Sequence, residues 1–179
     1  MNKLVAFIGL SFLAASTFAA MDSAAPSDPE IAQIMLSTNK VEIAAGKLAK
    51  KKTDNAEVRE FAEMMINEHS SVTDQTKELA NKIKLKPKNS VASTTLEKDA
   101  TRAEKKLKGL KGGAFDTAYV NQMVAGHQAV LDSIDTKLIP NAKNEELKGL
   151  LTKVRPAVEM HLQHAKTLQA KLAAANGAG

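Results

Sequence analysis

Residues 60–72 read "EFAEMMINEHSSV" and carry the apolar spacing of one face of a helix. Phe61, Ala62 and Met65 recur at intervals of one and three residues, which is typical of an amphipathic α-helix. Continuing this spacing, the next position on the same face is residue 69, and it is a histidine. The stretch therefore predicts a helix whose buried face carries His69, a titratable side chain where a leucine is expected.

The same spacing continues over most of the chain and predicts five helices. They are expected at about residues 29–52, 56–84, 91–110, 115–139 and 145–174. Four of them are long and carry a single apolar stripe, whereas the third is mostly charged. This pattern favours an all-α fold, a ferritin-like four-helix bundle with an additional crossover helix. Asp28 is expected to cap the first helix, Val41 and Leu48 to lie on its inward stripe, and Val91 to hold the third helix against the bundle.

The N-terminal 20 residues have the pattern of a secretory signal peptide. Lys3 precedes an apolar run at residues 4–13, and Thr17-Phe18-Ala19 is an acceptable cleavage tripeptide, so cleavage is expected after Ala19 or Ala20. No later segment is apolar enough to span a membrane. The mature protein is therefore expected to be periplasmic or secreted. The predicted organisation is a signal peptide at 1–20, a disordered leader at 21–28, the helical bundle at 29–174 and a disordered tail at 175–179.

Composition narrows the function classes. The chain has no cysteine, which excludes disulfides and the acylated cysteine of a lipoprotein anchor. Its formal net charge is +5, but it has no Trp and one Tyr, so the aromatic platforms on which nucleic-acid bases stack are missing. Nucleic acid is therefore not expected as a partner. Peripheral contact with anionic envelope components fits the basic surface, and the oligomeric state is left open.

Three of the four histidines are predicted to face the interior from three different helices. They are His69, His127 and His161, and a carboxylate, Glu42, lies at the edge of the stripe on the first helix. Imidazole is a common metal ligand, and helical bundles build metal sites from inward-facing side chains. Two interpretations follow: a hydrogen-bonded His/Glu polar layer in a structural or interaction module, or a transition-metal site for copper, zinc or iron with these four residues as ligands.

Methionines give a second indication of metal binding. Met65 and Met123 each precede an inward histidine by four residues, and Met160 precedes His164 in the same way. Such pairs lie on one helical face, and thioether with imidazole suits copper. The alternative is that these methionines fill the core. Met65, Met123 and His164 are thus expected neighbours of the site.

No catalytic residue set is visible. The chain lacks a nucleophile elbow, a G-x-G-x-x-G segment and a P-loop. The di-iron pattern needs Glu three residues before each histidine, but Ile66, Val124 and Val158 stand there. Two other acids near the histidines, Asp116 and Glu159, are expected on the surface. The sequence therefore favours a non-enzymatic role.

Several motifs together resemble a bacterial family. They are E-x-x-x-G-x-L-A at 42–49, V-x-x-F-A-x-x-M-x-x-x-H at 58–69, F-D-x-x-Y at 115–119 with His127 downstream, and P-x-x-x-x-H at 156–161. In these the chain resembles the DUF4142-like proteins of unknown function, which have a ferritin-like helical bundle and are often labelled predicted outer membrane proteins. The resemblance implies a fold and export, and no activity. A bundle with polar outer faces does not span an outer membrane, so a periplasmic domain is expected.

Overall fold

The computed structural model describes residues 25–177, and these residues form five long helices and no strand. The helices follow the predicted segments closely. The fourth long helix continues through a π-helical segment, Ile134–Leu138, into a helix of three residues. The elements are α1 (Asp28–Lys52), α2 (Ala56–Lys82), α3 (Val91–Gly109), α4 (Gly112–Ser133), α5 (Ile139–Asn141) and α6 (Glu145–Gly177).

Polar side chains satisfy the backbone groups where the helices begin. Ser27, not Asp28, is the N-cap of α1, and its backbone N–H donates to Glu30 Oε2 at 2.9 Å in a capping box. Asp28 is instead the first helical residue, and its carboxylate accepts from the backbone N–H groups of Lys143 and Asn144 at 2.8 and 3.0 Å. The start of α1 is thereby tied to the start of α6.

Two buried apolar clusters form the core. The first, here the Phe61 cluster, includes Phe61, Met65, Phe115, Tyr119, Met123 and Leu168. The second, here the Leu151 cluster, includes Ile31, Ile34, Leu131, Leu147, Leu151 and Leu162. Each fully buried large side chain contributes about 1.5–3 kcal/mol relative to exposure. The three histidines lie along α2, α4 and α6 between residues of these two clusters.

The helices pack in a defined order. Helix α1 lies mainly against α2 and α3, whereas α4 and α2 both lie against α6. Gly46 allows the close approach of α1 to α2, because a Cβ there would come within 2.9 Å of Ile66 Cγ1 and 3.0 Å of the Ala62 carbonyl oxygen. Helices α2 and α6 run antiparallel, since Glu57 pairs with Lys171 and Glu68 with His161. Consequently α1, α2, α4 and α6 all face one interior.

One inward assignment on α1 and one on α3 were wrong. Val41 is only half-buried, and Asn39, Glu42 and Ala49 take inward positions, whereas Leu48 is half-buried but packs against the Phe61 cluster as expected. Val41 was misassigned because several buried positions of α1 are polar, which interrupts its hydrophobic period. Val91, expected to anchor α3, is 64% exposed because it is the first residue of that helix.

Two helix descriptions also differ from the prediction. A continuous helix was expected to residue 139, but Ile134–Leu138 is π-helical, and the Ile139 N–H donates to the Ile134 carbonyl five residues back. Pro140 follows directly and has no N–H, so the regular hydrogen-bond ladder cannot continue through it. At the C-terminus, helix α6 runs to Gly177, since residues 173–175 are alanines, the best helix formers.

Parts of the predicted domain organisation lie outside the described residues. These are the signal peptide at 1–20, the leader up to residue 24, and the last two residues of the tail. Within residues 25–177, none of the helices combines the length and the apolar character that crossing a membrane requires.

Candidate metal centre

Three imidazole rings meet in the interior, one each from α2, α4 and α6. His69, His127 and His161 are buried, with relative exposures of 6%, 2% and 2%. Their ring centroids are separated by 5.4–5.7 Å. One ring nitrogen from each lies within 4.8 Å of the corresponding nitrogens of the other two. We call these three residues the histidine layer.

Each ring of the histidine layer uses one nitrogen as a hydrogen-bond donor. His69 Nδ1 lies 2.8 Å from Asn39 Oδ1, and His127 Nδ1 lies 2.9 Å from the Met123 carbonyl oxygen. His161 Nε2 lies 2.8 Å from Glu68 Oε2. All three partners are oxygen atoms that accept, so these nitrogens carry the protons. The tautomer of every ring is thereby set by its partner.

The other nitrogen of each ring is left as a buried acceptor with no partner. These atoms are His69 Nε2, His127 Nε2 and His161 Nδ1. A buried polar atom without a partner costs about 1–3 kcal/mol, so three in one place are a large local penalty. They cannot relieve one another, because all three are acceptors. A donor or a cation from outside the rings is required.

Burial favours the neutral form of His69 and His161, which is the form that binds metals. Burial, together with charge repulsion from His127 and His161, lowers the pKa of His69 to about 3. Burial also lowers the pKa of His161, although the hydrogen bond to Glu68 opposes this shift. Each of these rings therefore presents a lone pair rather than a proton at neutral pH.

Glu42, the fourth predicted ligand, lies beside the histidine layer but is not part of the close group. Burial raises the pKa of its carboxyl group, and His127 opposes that shift. Its Oε1 lies 3.6 Å from the position that a Cβ on Gly126 would occupy, and its Oε2 is buried without a partner. The structure thus brings three of the four predicted ligands together and places Glu42 next to one of them, His127.

The predicted neighbours divide into two groups. Met65 and Met123 are buried in the Phe61 cluster, and Met123 also provides the carbonyl oxygen that orients His127. His164 was expected beside the site but is exposed, with its ring edge-on to Phe61 at 5.1 Å. Three residues of an α-helix turn through about 300°, so His164 is offset from His161 by about 60° around the helix, and its ring contacts Phe61 instead of joining the histidine layer. Met160 is likewise 52% exposed.

Two functional residues were missed from the sequence, and one acid was misplaced. Asn39 and Glu68 orient the rings of His69 and His161, and the signal was available: Asn39 lies one turn before Glu42, and Glu68 directly precedes His69. Asp116, expected on the surface, is buried. It follows Phe115 on the part of α4 that packs into the Phe61 cluster.

The donor set fits a borderline transition metal. A tetrahedral ion with bonds of about 2.0–2.1 Å holds its nitrogen ligands about 3.3 Å apart. The three nitrogens would have to approach by no more than about 1.5 Å, a movement within reach of small side-chain rotations. Three imidazoles suit zinc, copper or iron, and hydrogen bonds to the second nitrogen of each ring are typical of metal-bound histidines.

Comparisons with known proteins found a family model and a solved structure that match the chain. A family model described as "Domain of unknown function (DUF4142)" matches residues 13–168. Among solved structures, the chain is similar to the "putative secreted protein DUF305 from Streptomyces coelicolor", with a TM-score of 0.68 and 16% identity over 80% of this chain and 92% of that one. At this identity the similarity shows a shared fold and nothing more. No curated protein matches the chain.

Proposed function

Since this chain belongs to the DUF4142 family, whose description assigns no function, we propose that it is an exported helical protein that binds one transition-metal ion through His69, His127 and His161. The observation that carries the proposal is the set of three buried ring nitrogens that lack partners and cannot bond to one another. A single cation satisfies all three. Buffering, storage or sensing of the metal fits the absence of a visible catalytic set.

The orienting hydrogen bonds support metal binding over a purely structural polar layer. A layer that only fixes helix register has its buried donors and acceptors paired, because an unpaired buried group costs stability. In the histidine layer only the ring donors are paired, with Asn39, Met123 and Glu68. The acceptors that remain make no bond across the layer. This arrangement leaves the lone pairs for a shared ion.

Glu42 has a supporting role in the proposed site. A divalent ion held by three neutral imidazoles brings two positive charges into a dry interior, which is costly unless a negative charge lies close by. Glu42 is the buried carboxyl group that senses His127 electrostatically. We assign it as the charge that balances the ion, next to the three histidine ligands. Met65 and Met123 pack beside the ligands as core residues.

Export and the detailed architecture are part of the same proposal. The signal-peptide pattern at 1–20 and the similarity to a Streptomyces protein named a "putative secreted protein" support a periplasmic or secreted location. The four helices that surround the histidine layer support a ferritin-like four-helix bundle, with α3 as the crossover helix. A crystal structure of the metal-loaded protein tests the architecture directly.

Equilibrium dialysis tests the metal site. The chelator-treated mature protein is dialysed separately against Cu²⁺, Zn²⁺ and Fe²⁺, and bound metal is measured by mass spectrometry. We expect one ion per chain for at least one metal, and a loss of affinity of at least a hundredfold in His69→Ala, His127→Ala and His161→Ala. Bound metal should also raise the melting temperature, because an ion that binds only the folded state stabilises it.

His164→Ala is the matched control, since this histidine lies on the same helix as His161 but is exposed. It should bind metal like the unchanged protein. Stoichiometric binding that survives all three substitutions in the histidine layer, or the absence of uptake of every metal by the unchanged protein, contradicts the proposal.

A further inference from the structure

A cavity of about 60 Å³ lies directly beside the histidine layer. Its polar end is formed by His69 and His161 together with their hydrogen-bond partners, Asn39 and Glu68. Thr38 adds one hydroxyl group, and the remaining walls are apolar. The cavity thus joins the candidate metal centre to the space within the Leu151 cluster. Apolar lining residues from four elements include Ile34, Val72, Ile134, Leu138, Val154 and Ala157.

The size and chemistry of this cavity limit what it holds. A dry apolar cavity of about 150 Å³ accommodates benzene, so one of this volume suits a molecule of about two to four heavy atoms. No lysine or arginine is among the lining residues, and the single carboxylate, Glu68, already accepts a bond from His161. A hydrated cation or a polyanion therefore has no partners in it. A small molecule that is neutral or singly negative fits.

The cavity is accessible from outside the core. Val72, Val154 and Ala157 are half-buried, so the wall that they form reaches the surface. The opposite wall includes Ile134 and Leu138, the first and last residues of the π-helical segment. Single π-helical turns within α-helices often occur at functional sites, because they redirect side chains toward a ligand.

We propose that a metal ion at the histidine layer keeps one coordination position open toward this cavity, and that a small molecule of two to four heavy atoms, neutral or singly negative, binds there. This inference rests on the proposed metal site. Structural metal sites are closed by four protein ligands, whereas sites with three protein ligands keep a position for an exogenous ligand. Only His69 and His161 of the three ligands line the cavity, so the open position lies on their side, away from His127.

Azide, a three-atom anion, tests the open position. The protein is loaded with one equivalent of Co²⁺, whose visible spectrum responds to its ligands, and is then titrated with azide. We expect a saturable spectral change. Ala157→Leu, which adds three carbons to the cavity wall, should bind Co²⁺ in the same amount but azide at least tenfold more weakly. Ala170→Leu, an equal change at an exposed position of the same helix, should behave like the unchanged protein.

The outcomes separate this inference from the proposed function. Failure of the unchanged protein to bind Co²⁺ or any other metal overturns both. Binding of Co²⁺ with no response to azide overturns only the open position, and an unchanged azide affinity in Ala157→Leu overturns the assignment of the cavity. If Ala157→Leu does not fold, xenon replaces it as the probe. Xenon should shift the methyl NMR signals of Val72, Ile134 and Leu138 in the metal-free protein, and unshifted signals overturn the cavity.

Discussion

The histidine layer and the Phe61 cluster are adjacent and equally buried, but their side chains are satisfied in different ways. The Tyr119 ring packs against Phe61 and Phe115, with ring centroids 6.3 and 6.2 Å apart, within an apolar cluster in which only the Tyr119 hydroxyl group is a buried polar atom without a partner. In the histidine layer, three ring nitrogens are buried without partners in rings whose centroids lie 5.4–5.7 Å apart. The Phe61 cluster stabilises the fold, whereas the histidine layer has groups that can bind a ligand but lower the stability of the free protein. Substitutions in the two regions should therefore have opposite consequences.

The largest expected effect on stability is in the Phe61 cluster. Phe61→Ala removes a fully buried ring and leaves a cavity, which should lower the free energy of unfolding by about 3–5 kcal/mol. Urea denaturation followed by circular dichroism measures it. At urea concentrations below the unfolding transition, the number of metal ions bound per chain should equal that of the unchanged protein. The Phe61 side chain is neither a metal ligand nor a hydrogen-bond partner of a ring in the histidine layer. A decrease in the free energy of unfolding of less than about 1 kcal/mol would show that the Phe61 cluster is not a major source of stability.

Acid should weaken the metal-free protein by a smaller amount. The pKa of His69 is about 3 in the folded state and near 6.5 in the unfolded chain, so the unfolded state takes up a proton first as the pH falls. Stability is therefore full above pH 6.5 and declines progressively toward pH 3. Between pH 7 and 5, His69 alone accounts for a loss of about 2 kcal/mol, and the lowered pKa of His161 acts in the same direction.

Glu42 supplies a control on the acid effect because its contribution has the opposite sign. Burial raises its pKa, so the folded state retains that proton and stability is lost as the pH rises through the folded pKa. Glu42→Gln removes this opposing contribution, so the decline between pH 7 and 5 should steepen. His164→Ala should change the profile only slightly, since the charge of His164 is the smallest of the contributions to the lowered pKa of His161. Chemical denaturation of chelator-treated protein at a series of pH values measures all three, and a flat profile from pH 8 to 5 would contradict neutral, buried rings.

Sequence reasoning located the histidine layer because periodicity is a reliable guide where the surrounding positions are apolar. His69, His127 and His161 each follow a strong stripe, such as Met123 and Val120 before His127, and the structure buries all three. The same method was less reliable on α1, where Val41 was misassigned. Apolar residues such as Ile31, Ile34 and Ala45 lie on its inward face, but Ser37, Thr38, Asn39 and Glu42 are buried between them and interrupt the hydrophobic period.

Contacts between helices could not be predicted from spacing within one helix. The bond between Glu68 and His161 joins residues 93 positions apart, and it depends on the antiparallel register of α2 against α6. The π-helical turn also could not be predicted from the sequence. Pro140 predicts that the regular hydrogen bonding ends, but it does not predict that the preceding turn contains an additional residue. The cavity follows from both, since α2, α6 and the π-helical segment all line it.

The smallest expected effect separates a site held for binding from one held for folding. His127→Leu replaces a ring whose Nε2 is buried without a partner by an apolar side chain of similar size. Since an unsatisfied acceptor is removed, the metal-free protein should gain about 1 kcal/mol, after allowance for the lost bond to the Met123 carbonyl. The variant should bind no metal. If His127 served only stability, the result would be the reverse, and His127→Leu would unfold more easily than the unchanged metal-free protein. The hydrogen bond to the Met123 carbonyl would then be the main contribution of His127.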